Sequence, residues 1–257
     1  MIPKIIHYCW FGRGQMSPFI EQCMSTWHKV MPDYELKLWN EDNFDVTSVP
    51  FVKQAYDAKK FAFVSDYVRL YALYSEGGIY LDTDVRVFRP FDEFLIYSFF
   101  TSQEYIANSF DPARIDKDGN RVVDGVVRGI ALQSGVMGSV AGIPYLKDCL
   151  DHYAKLEFNI SAKEEFIIVD IIAKLMEKYG YRYTLERQYL SDHNILICEP
   201  ETFSTNSTYG KNSYSIHLFN GSWGDAPLKN KIRERFPTLF TIVQNLVRLL
   251  KGKHRIN

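Results

Sequence analysis

The 257-residue chain has no run approaching eighteen apolar residues, so an ordinary transmembrane helix is excluded. Cysteine is scarce. Cys9, Cys23, Cys149 and Cys198 lie far apart with no CxxC pair, which argues against a disulfide framework or a thiolate zinc site. Reduced, mostly buried thiols in a cytosolic protein are expected instead. Internal repeats and low-complexity tracts are missing, and the first residues already read as a strand, so no signal peptide is visible. Net charge is only −1, and nucleic acid is not among the expected partners.

What is present is ordinary for a globular protein: 46% hydrophobic and 24% charged residues. Aromatics reach 15%, with 17 Tyr and 18 Phe. Carbohydrate sites favour aromatic platforms, but core packing consumes far more of them. The charge is segregated. From residue 228 to 257 eight Lys or Arg face Glu234 alone, a local balance of +7, which leaves the rest near −8. The expected organisation is one domain over 1–227 and a basic helical tail over 228–257, helical at 229–250 and kinked at Pro237. That tail either packs its apolar residues on the domain or docks on an anionic membrane surface.

The chain opens strand, helix, strand: Lys4 to Trp10, then a helix from Ser17-Pro18 to about Val30 with Phe19, Cys23, Met24 and Trp27 inward, then Tyr34 to Trp39. Such a β-α-β opening suits nucleotide binding. A helix is expected over Val52–Lys60, and a short strand at Val85–Phe88. Further strands are expected near 99–104, 195–198 and 214–219, and helices near 145–156 and 165–179. Residues 108–128 are polar and carry glycine and proline, as a hairpin or mobile loop does, serving as an acceptor-side lid or as an idle excursion. The small-residue segment GIALQSGVMGSVAGIP that follows is expected near the donor site.

The chain is organised around FAFVSDYVRLYALYSEGGIYLDTDVRVFRP, residues 61–90. Phe63, Tyr67, Leu70, Tyr71 and Tyr74 recur at helical spacing, Gly77 and Gly78 stop the helix, and Ile79-Tyr80-Leu81 reads as an inner strand. Asp82 and Asp84 follow. Extended backbone directs residues i and i+2 to one face, so the two carboxylates are expected side by side at the carboxyl end of a buried strand, where open α/β sheets bind ligands. Their mutual repulsion is relieved by a hard divalent cation with positions left for phosphate oxygens. A solvated Asp-x-Asp turn is the ordinary alternative. Asp66 and Arg69 share a helix face as either a surface ion pair or site residues. Trp10, at a strand end, is a stacking platform for a base or a buried core residue. His7 is as well explained by the core.

SDYVRLYALYSEGGIYLDTDV resembles the signature of glycosyltransferases with a DXD sugar-binding motif, a group that includes yeast-type initiating mannosyltransferases and bacterial capsule and lipopolysaccharide transferases. Catalytic domains of clostridial glucosylating toxins are related to it. IPKIIHYCWFG near the start and SIHLFNGSW near the end match the same pattern. The resemblance implies an α/β fold of the GT-A nucleotide-diphospho-sugar transferase type, a Rossmann-like central sheet flanked by helices. It also implies a retaining transferase that moves a hexose from UDP or mannose from GDP to a glycan or lipid-linked glycan in surface polysaccharide synthesis, in the cytoplasm or at the inner face of the plasma membrane.

On this resemblance Trp10 stacks on the base, and Tyr8, Cys9, Tyr80 and Thr83 join the nucleotide-sugar site. Asp66 accepts from sugar hydroxyls and Arg69 lies near sugar and phosphate. Asp84 binds Mn2+ or Mg2+ directly, and Asp82 contacts the ion or its water shell and the ribose. His217 supplies a metal or phosphate ligand, with a core histidine as its rival, while Ser222 and Trp223 close over the diphosphate. No carboxylate can be named as a covalent nucleophile, so front-face attack by the acceptor hydroxyl is expected. Two other classes compete: a metal-dependent phosphohydrolase using the same carboxylates, and an inactive carbohydrate- or nucleotide-binding module of the same fold. The module predicts a broken acidic pair, whereas Asp66, Arg69, Asp82 and Asp84 are all present.

Overall fold

A computed structural model describes residues 1–159, 161 and 167–219. The expected Ser222, Trp223, domain boundary and basic tail lie outside the described residues. In chain order the elements are β1 (Ile5–Cys9), α1 (Pro18–Val30), β2 (Glu35–Trp39), α2 (Pro50–Asp57), α3 (Phe61–Glu76), β3 (Gly78–Leu81), β4 (Val85–Val87) and β5 (Phe99–Tyr105). There follow β6 (Ile130–Leu132), β7 (Val136–Ser139), α4 (Pro144–Tyr153), α5 (Ile168–Met176), β8 (Gln188–Leu190), β9 (Ile195–Cys198), β10 (Phe203–Thr205) and β11 (Ser215–His217).

The main sheet runs β2-β1-β3-β7-β5-β9-β8, with β6 paired to β5. β1 is parallel to both β2 and β3, and β3 is antiparallel to β7. The sheet is therefore mixed and flanked by helices, as the expected α/β class requires. β10-β11-β4 forms a second, three-stranded sheet, with β11 antiparallel to β4. β8 and β10, three residues each, are absent from the sequence reading, because so short a run carries no usable alternation.

The opening β-α-β forms as expected. Ser17 Oγ accepts from Ile20 N at 3.4 Å and Pro18 occupies the first turn, where its missing N–H costs nothing. α1 buries Phe19, Ile20, Cys23 and Trp27, with Met24 only half-buried. Trp27 Nε1 donates to Val85 O at 2.8 Å, which ties α1 to β4. α2 starts at Pro50, two residues earlier than expected, and stops before Lys59, whose φ of +57° is incompatible with a continuing helix.

α3 departs from a one-faced helix. Phe63, Tyr67 and Leu70 are buried, but Tyr71 is 36% exposed, and Val64, Asp66, Val68, Arg69, Ala72 and Leu73 are buried as well. The helix packs on α2 and α4 and also on β1 and β3, so more than one side is enclosed. It ends at Gly77 (φ +70°) and Gly78 (φ +107°). A Cβ at Gly78 would lie 2.8 Å from Ile5 O and 2.9 Å from His7 Nε2, so a side chain is excluded by space as well as by backbone. His7 is a core strut. Its Nε2 donates to Gly77 O at 2.7 Å and its Nδ1 accepts from Trp39 Nε1 at 3.0 Å, and burial lowers its pKa.

Residues 108–128 adopt the hairpin alternative. Ile115 bridges Arg121, and Asp116 N donates to Asn120 O at 2.8 Å. Arg121 then grips Glu177 through Nε and Nη2 at 2.8 and 3.0 Å, which anchors the hairpin to the segment after α5. Most of the aromatic excess goes into the core: Phe91, Phe94, Phe100, Phe203 and Tyr214 form one cluster with ring centroids 5.0–6.5 Å apart. All four cysteines are free and buried, as expected. Among the described residues no helix is long and apolar enough to cross a membrane.

Candidate functional site

β3 delivers the Asp-x-Asp segment, but not in extended form. Strand pairing ends at Leu81, and Val85 N donates to Asp82 O at 2.9 Å, closing a turn over Asp82-Thr83-Asp84. The alternation expected of an extended chain is therefore the wrong reason for the two carboxylates to converge. The turn supplies the geometry, and β11 supplies the third group. The antiparallel register sets His217 opposite Val85, the residue after Asp84. His217 Nε2 then lies 3.1 Å from Asp84 Oδ1 and 3.6 Å from Asp82 Oδ2. One donor atom from each of Asp82, Asp84 and His217 lies within 4.8 Å of the other two.

The cluster opens into a cavity of about 690 Å³ lined by Cys9, Trp10, Phe11, Phe61, Ser65, Arg69, Tyr80, Asp82, Thr83, Asp84, Glu104, Ser134, Ile167, Ile168, Val169 and His217, among others. Thus Cys9, Trp10, Arg69, Tyr80, Thr83, Asp82, Asp84 and His217 are brought together, from segments more than two hundred residues apart. Tyr8 is not: strand alternation turns it to the opposite face, where it packs on Trp27 at 5.8 Å. Trp10 packs on the Phe19 cluster and donates its indole N–H to Gly14 O at 2.6 Å, so its ring is held by the fold before any ligand arrives.

Arg69 is the hub of the polar floor. It is 3% exposed, with Nη2 2.9 Å from Asp66 Oδ1 and Nη1 3.2 Å from Asp82 Oδ2. Nη1 also donates to Ser134 O at 3.0 Å and Nε to Ser65 O at 3.1 Å, while the guanidinium lies 4.8 Å from the Tyr80 ring centroid. Tyr80 Oη donates to Asp82 Oδ1 at 2.9 Å. Asp66 is fully buried behind Arg69, not on the cavity wall, so it acts on Arg69 from below. Burial pushes the Asp66 carboxyl up to about 7, Arg69 opposing and Asp82 reinforcing. Both orientations of an i, i+3 pair were open in the sequence; the surface ion pair is ruled out by this burial.

His217 is nearly enclosed. Burial works against a charged imidazole, but Asp84, and after it Asp82 and Glu104, outweigh it and push the pKa up to about 9. Its Nδ1 is buried and has no hydrogen-bond partner among the described residues. A Cβ added to Gly135 would come within 2.8 Å of that Nδ1 and 3.0 Å of Asp82 Oδ2, so glycine leaves the room that these groups occupy. Two carboxylates and one imidazole with a shared focus fit a divalent cation. Glu104 on β5, 8% exposed and on the same cavity wall, carries no sequence signal, since a lone Glu in a strand of mixed polarity forms no motif.

Residues 19–101 match the family of glycosyltransferase sugar-binding regions containing a DXD motif, a segment that holds Asp66, Arg69, Asp82 and Asp84 but neither Trp10 nor His217. Over 165 residues the chain is 28% identical to inositol phosphoceramide mannosyltransferase 3 of Schizosaccharomyces pombe, covering 62% of this chain and 39% of that relative's length. Among solved structures it is similar to the PaToxG glycosyltransferase, with TM-score 0.47 and 17% identity over 70% of each chain. It is also similar to a glycosyltransferase involved in glycosylation of the major capsid of PBCV-1, with TM-score 0.48 and 12% identity over 91% of this chain and 100% of that one.

Proposed function

We propose that this chain, whose residues 19–101 match the DXD-containing glycosyltransferases, transfers a hexose from a nucleotide sugar to a glycan or lipid-linked glycan in a divalent-metal-dependent reaction. The observation that carries this is the meeting of Asp82, Asp84 and His217 beside Arg69, in a cavity whose wall holds Trp10. A hydrolase reading leaves Trp10 without a task. The relative named a mannosyltransferase keeps mannose among the donor sugars to be tested, beside the other hexoses.

In this reading Trp10 stacks on the base, worth on the order of 1–3 kcal/mol. Asp82, Asp84 and His217 would hold Mn2+ or Mg2+, which supplies charge neutralisation to the departing diphosphate when bound. Arg69 places a fixed positive charge beside the same oxygens, and Asp66 holds it there. Its position costs no reorganisation during reaction, because Asp66, Asp82, Ser65 and Ser134 already fix it. The anomeric carbon–phosphate oxygen bond breaks, the acceptor oxygen bonds to that carbon from the same face, and its proton goes to the departing diphosphate. Configuration is retained. Positioning and charge supply most of the rate. The setting is surface polysaccharide synthesis on the cytoplasmic side.

The test is calorimetric titration of UDP and GDP, each with and without Mn2+, into wild type and Asp84→Ala. Binding of one nucleotide that needs Mn2+ and disappears in the variant supports the reading and names the base. Binding indifferent to both metal and substitution refutes it.

A further inference from the structure

β5 carries one side chain that the proposed chemistry leaves unused. Glu104, paired opposite Ala131 of β6, is more than nine-tenths buried and lines the cavity shared by Asp82, Asp84, Arg69 and His217. It makes no hydrogen bond or ion pair to any described residue, while its neighbour Gln103, turned to the other face, donates its amide to Glu186 O at 2.6 Å. Its oxygens are not among the enclosed, unpartnered side-chain atoms, so on this wall they face the cavity, where they can accept hydrogen bonds from a ligand that fills it.

The partner is not the metal. Asp82, Asp84 and His217 present their donor atoms within one 4.8 Å cluster, and Glu104 stands outside it. It is close enough, though, to feel Asp82, His217 and Asp170 electrostatically, and with burial dominant its pKa is raised to about 7. A diphosphate has the ribose on one side and the hexose on the other; with the nucleoside end assigned to Trp10 in this reading, the hexose is the part left to Glu104. Ile167, Ile168 and Val169, at the start of α5, line the same cavity with apolar side chains.

We propose that Glu104 is a sugar-positioning residue whose carboxylate accepts hydrogen bonds from hydroxyls of the donor hexose. The assignment rests on the nucleotide-sugar reading of the site and goes beyond it, since it separates the group that recognises sugar from those that hold nucleotide and metal. A carboxylate with two free oxygens accepts from two hydroxyls at once, and it discriminates donors by where those hydroxyls point.

The experiment compares wild type, Glu104→Gln and Glu104→Ala in Mn2+. UDP, GDP, UDP-glucose, UDP-galactose, UDP-N-acetylglucosamine and GDP-mannose are titrated by calorimetry, and folding is checked by circular dichroism. The readout is the affinity ratio between the nucleotide sugar that wild type binds and its parent nucleotide. Loss of charge-assisted hydrogen bonds should lower that ratio about tenfold in the isosteric Gln variant, with the parent nucleotide's affinity unchanged within about twofold. An unchanged ratio overturns the proposal while leaving the nucleotide site standing. Equal loss of nucleotide and nucleotide sugar also overturns it, by placing Glu104 at the phosphates or the metal. Wild type that binds no nucleotide in Mn2+ removes the donor reading itself, and Glu104's assignment with it.

Discussion

Arg69→Met separates what the buried pair does for folding from what it does for the site. Arg69 is 3% exposed and its loss strips Asp66, 0% exposed, of its only ion-pair partner among the described residues, at 2.9 Å. Ser134 O and Ser65 O lose their donor as well. Breaking a buried ion pair from one side costs about 3–5 kcal/mol, because the remaining charge stays in low dielectric. For a chain of this size that is a drop of roughly 6–20 °C in melting temperature. The cost depends on pH. Asp66 has its carboxyl raised to about 7 by burial, so its folded pKa exceeds its unfolded one. A group with a raised pKa favours folding when protonated, and that contribution is lost as pH rises through the folded value. Without Arg69 the folded value climbs further. Arg69→Met should therefore cost most above about pH 8, where wild type holds a charged pair. Below about pH 6 Asp66 is neutral in both proteins, and the cost shrinks to the guanidinium's other contacts, with Ser65 O, Ser134 O and Asp82, about 1.5–3 kcal/mol. Adding Asp66→Leu should restore most of the stability, since an apolar pair of similar volume carries no desolvation penalty. Mn2+-dependent nucleotide binding should stay lost in both variants. Thermal unfolding by circular dichroism at pH 5.5, 7 and 8.5 measures this. A cost that is flat with pH, or a double variant no more stable than Arg69→Met, refutes the reasoning.

Three further outcomes follow from the same geometry. His217 has a pKa raised to about 9, so Mn2+ must displace a proton from the metal-free site; affinity should rise about tenfold per pH unit from 6 to 8 and level off above about 9. Manganese titrations followed by electron paramagnetic resonance would show this, and a flat profile would remove His217 from the ligand set. Gly135→Ala puts a methyl 2.8 Å from His217 Nδ1 and 3.0 Å from Asp82 Oδ2, so Mn2+ affinity should fall about 10–100-fold, with a much smaller change in melting temperature. Trp10→Ala should weaken UDP or GDP binding by about 1–3 kcal/mol and leave binding of Mn2+ alone intact; equal loss of both would assign Trp10 to the fold rather than the base.

Much of the site was legible along the chain because its parts are adjacent in it. Residues 61–90 hold a helix, a glycine stop, a strand and two carboxylates in that order, and local periodicity suffices to place them. The strand-end position of Trp10 followed from the same logic. The burial of Asp66 did not, because an i, i+3 Asp-Arg pair looks the same on an exposed helix as on one enclosed from several sides. What encloses α3 is α2, α4, β1 and β3, which are set by the whole fold. Nor did the turn over Asp82 and Asp84 show, since one backbone hydrogen bond, Val85 N to Asp82 O, decides it against extended geometry.

The sequence by itself determined the α/β class, the order of the opening elements and the identity of the groups available for chemistry, since each is a matter of local pattern and composition. Tertiary structure alone decided which of those groups meet. His217 reaches Asp84 only because β11 pairs antiparallel with β4, a contact between residues more than 130 positions apart. Tyr8 is turned out of the cavity by strand alternation, and Glu104 is brought into it by β5. Long-range strand pairing carries no local signature, and so the convergence of the site is written in the register of the sheets.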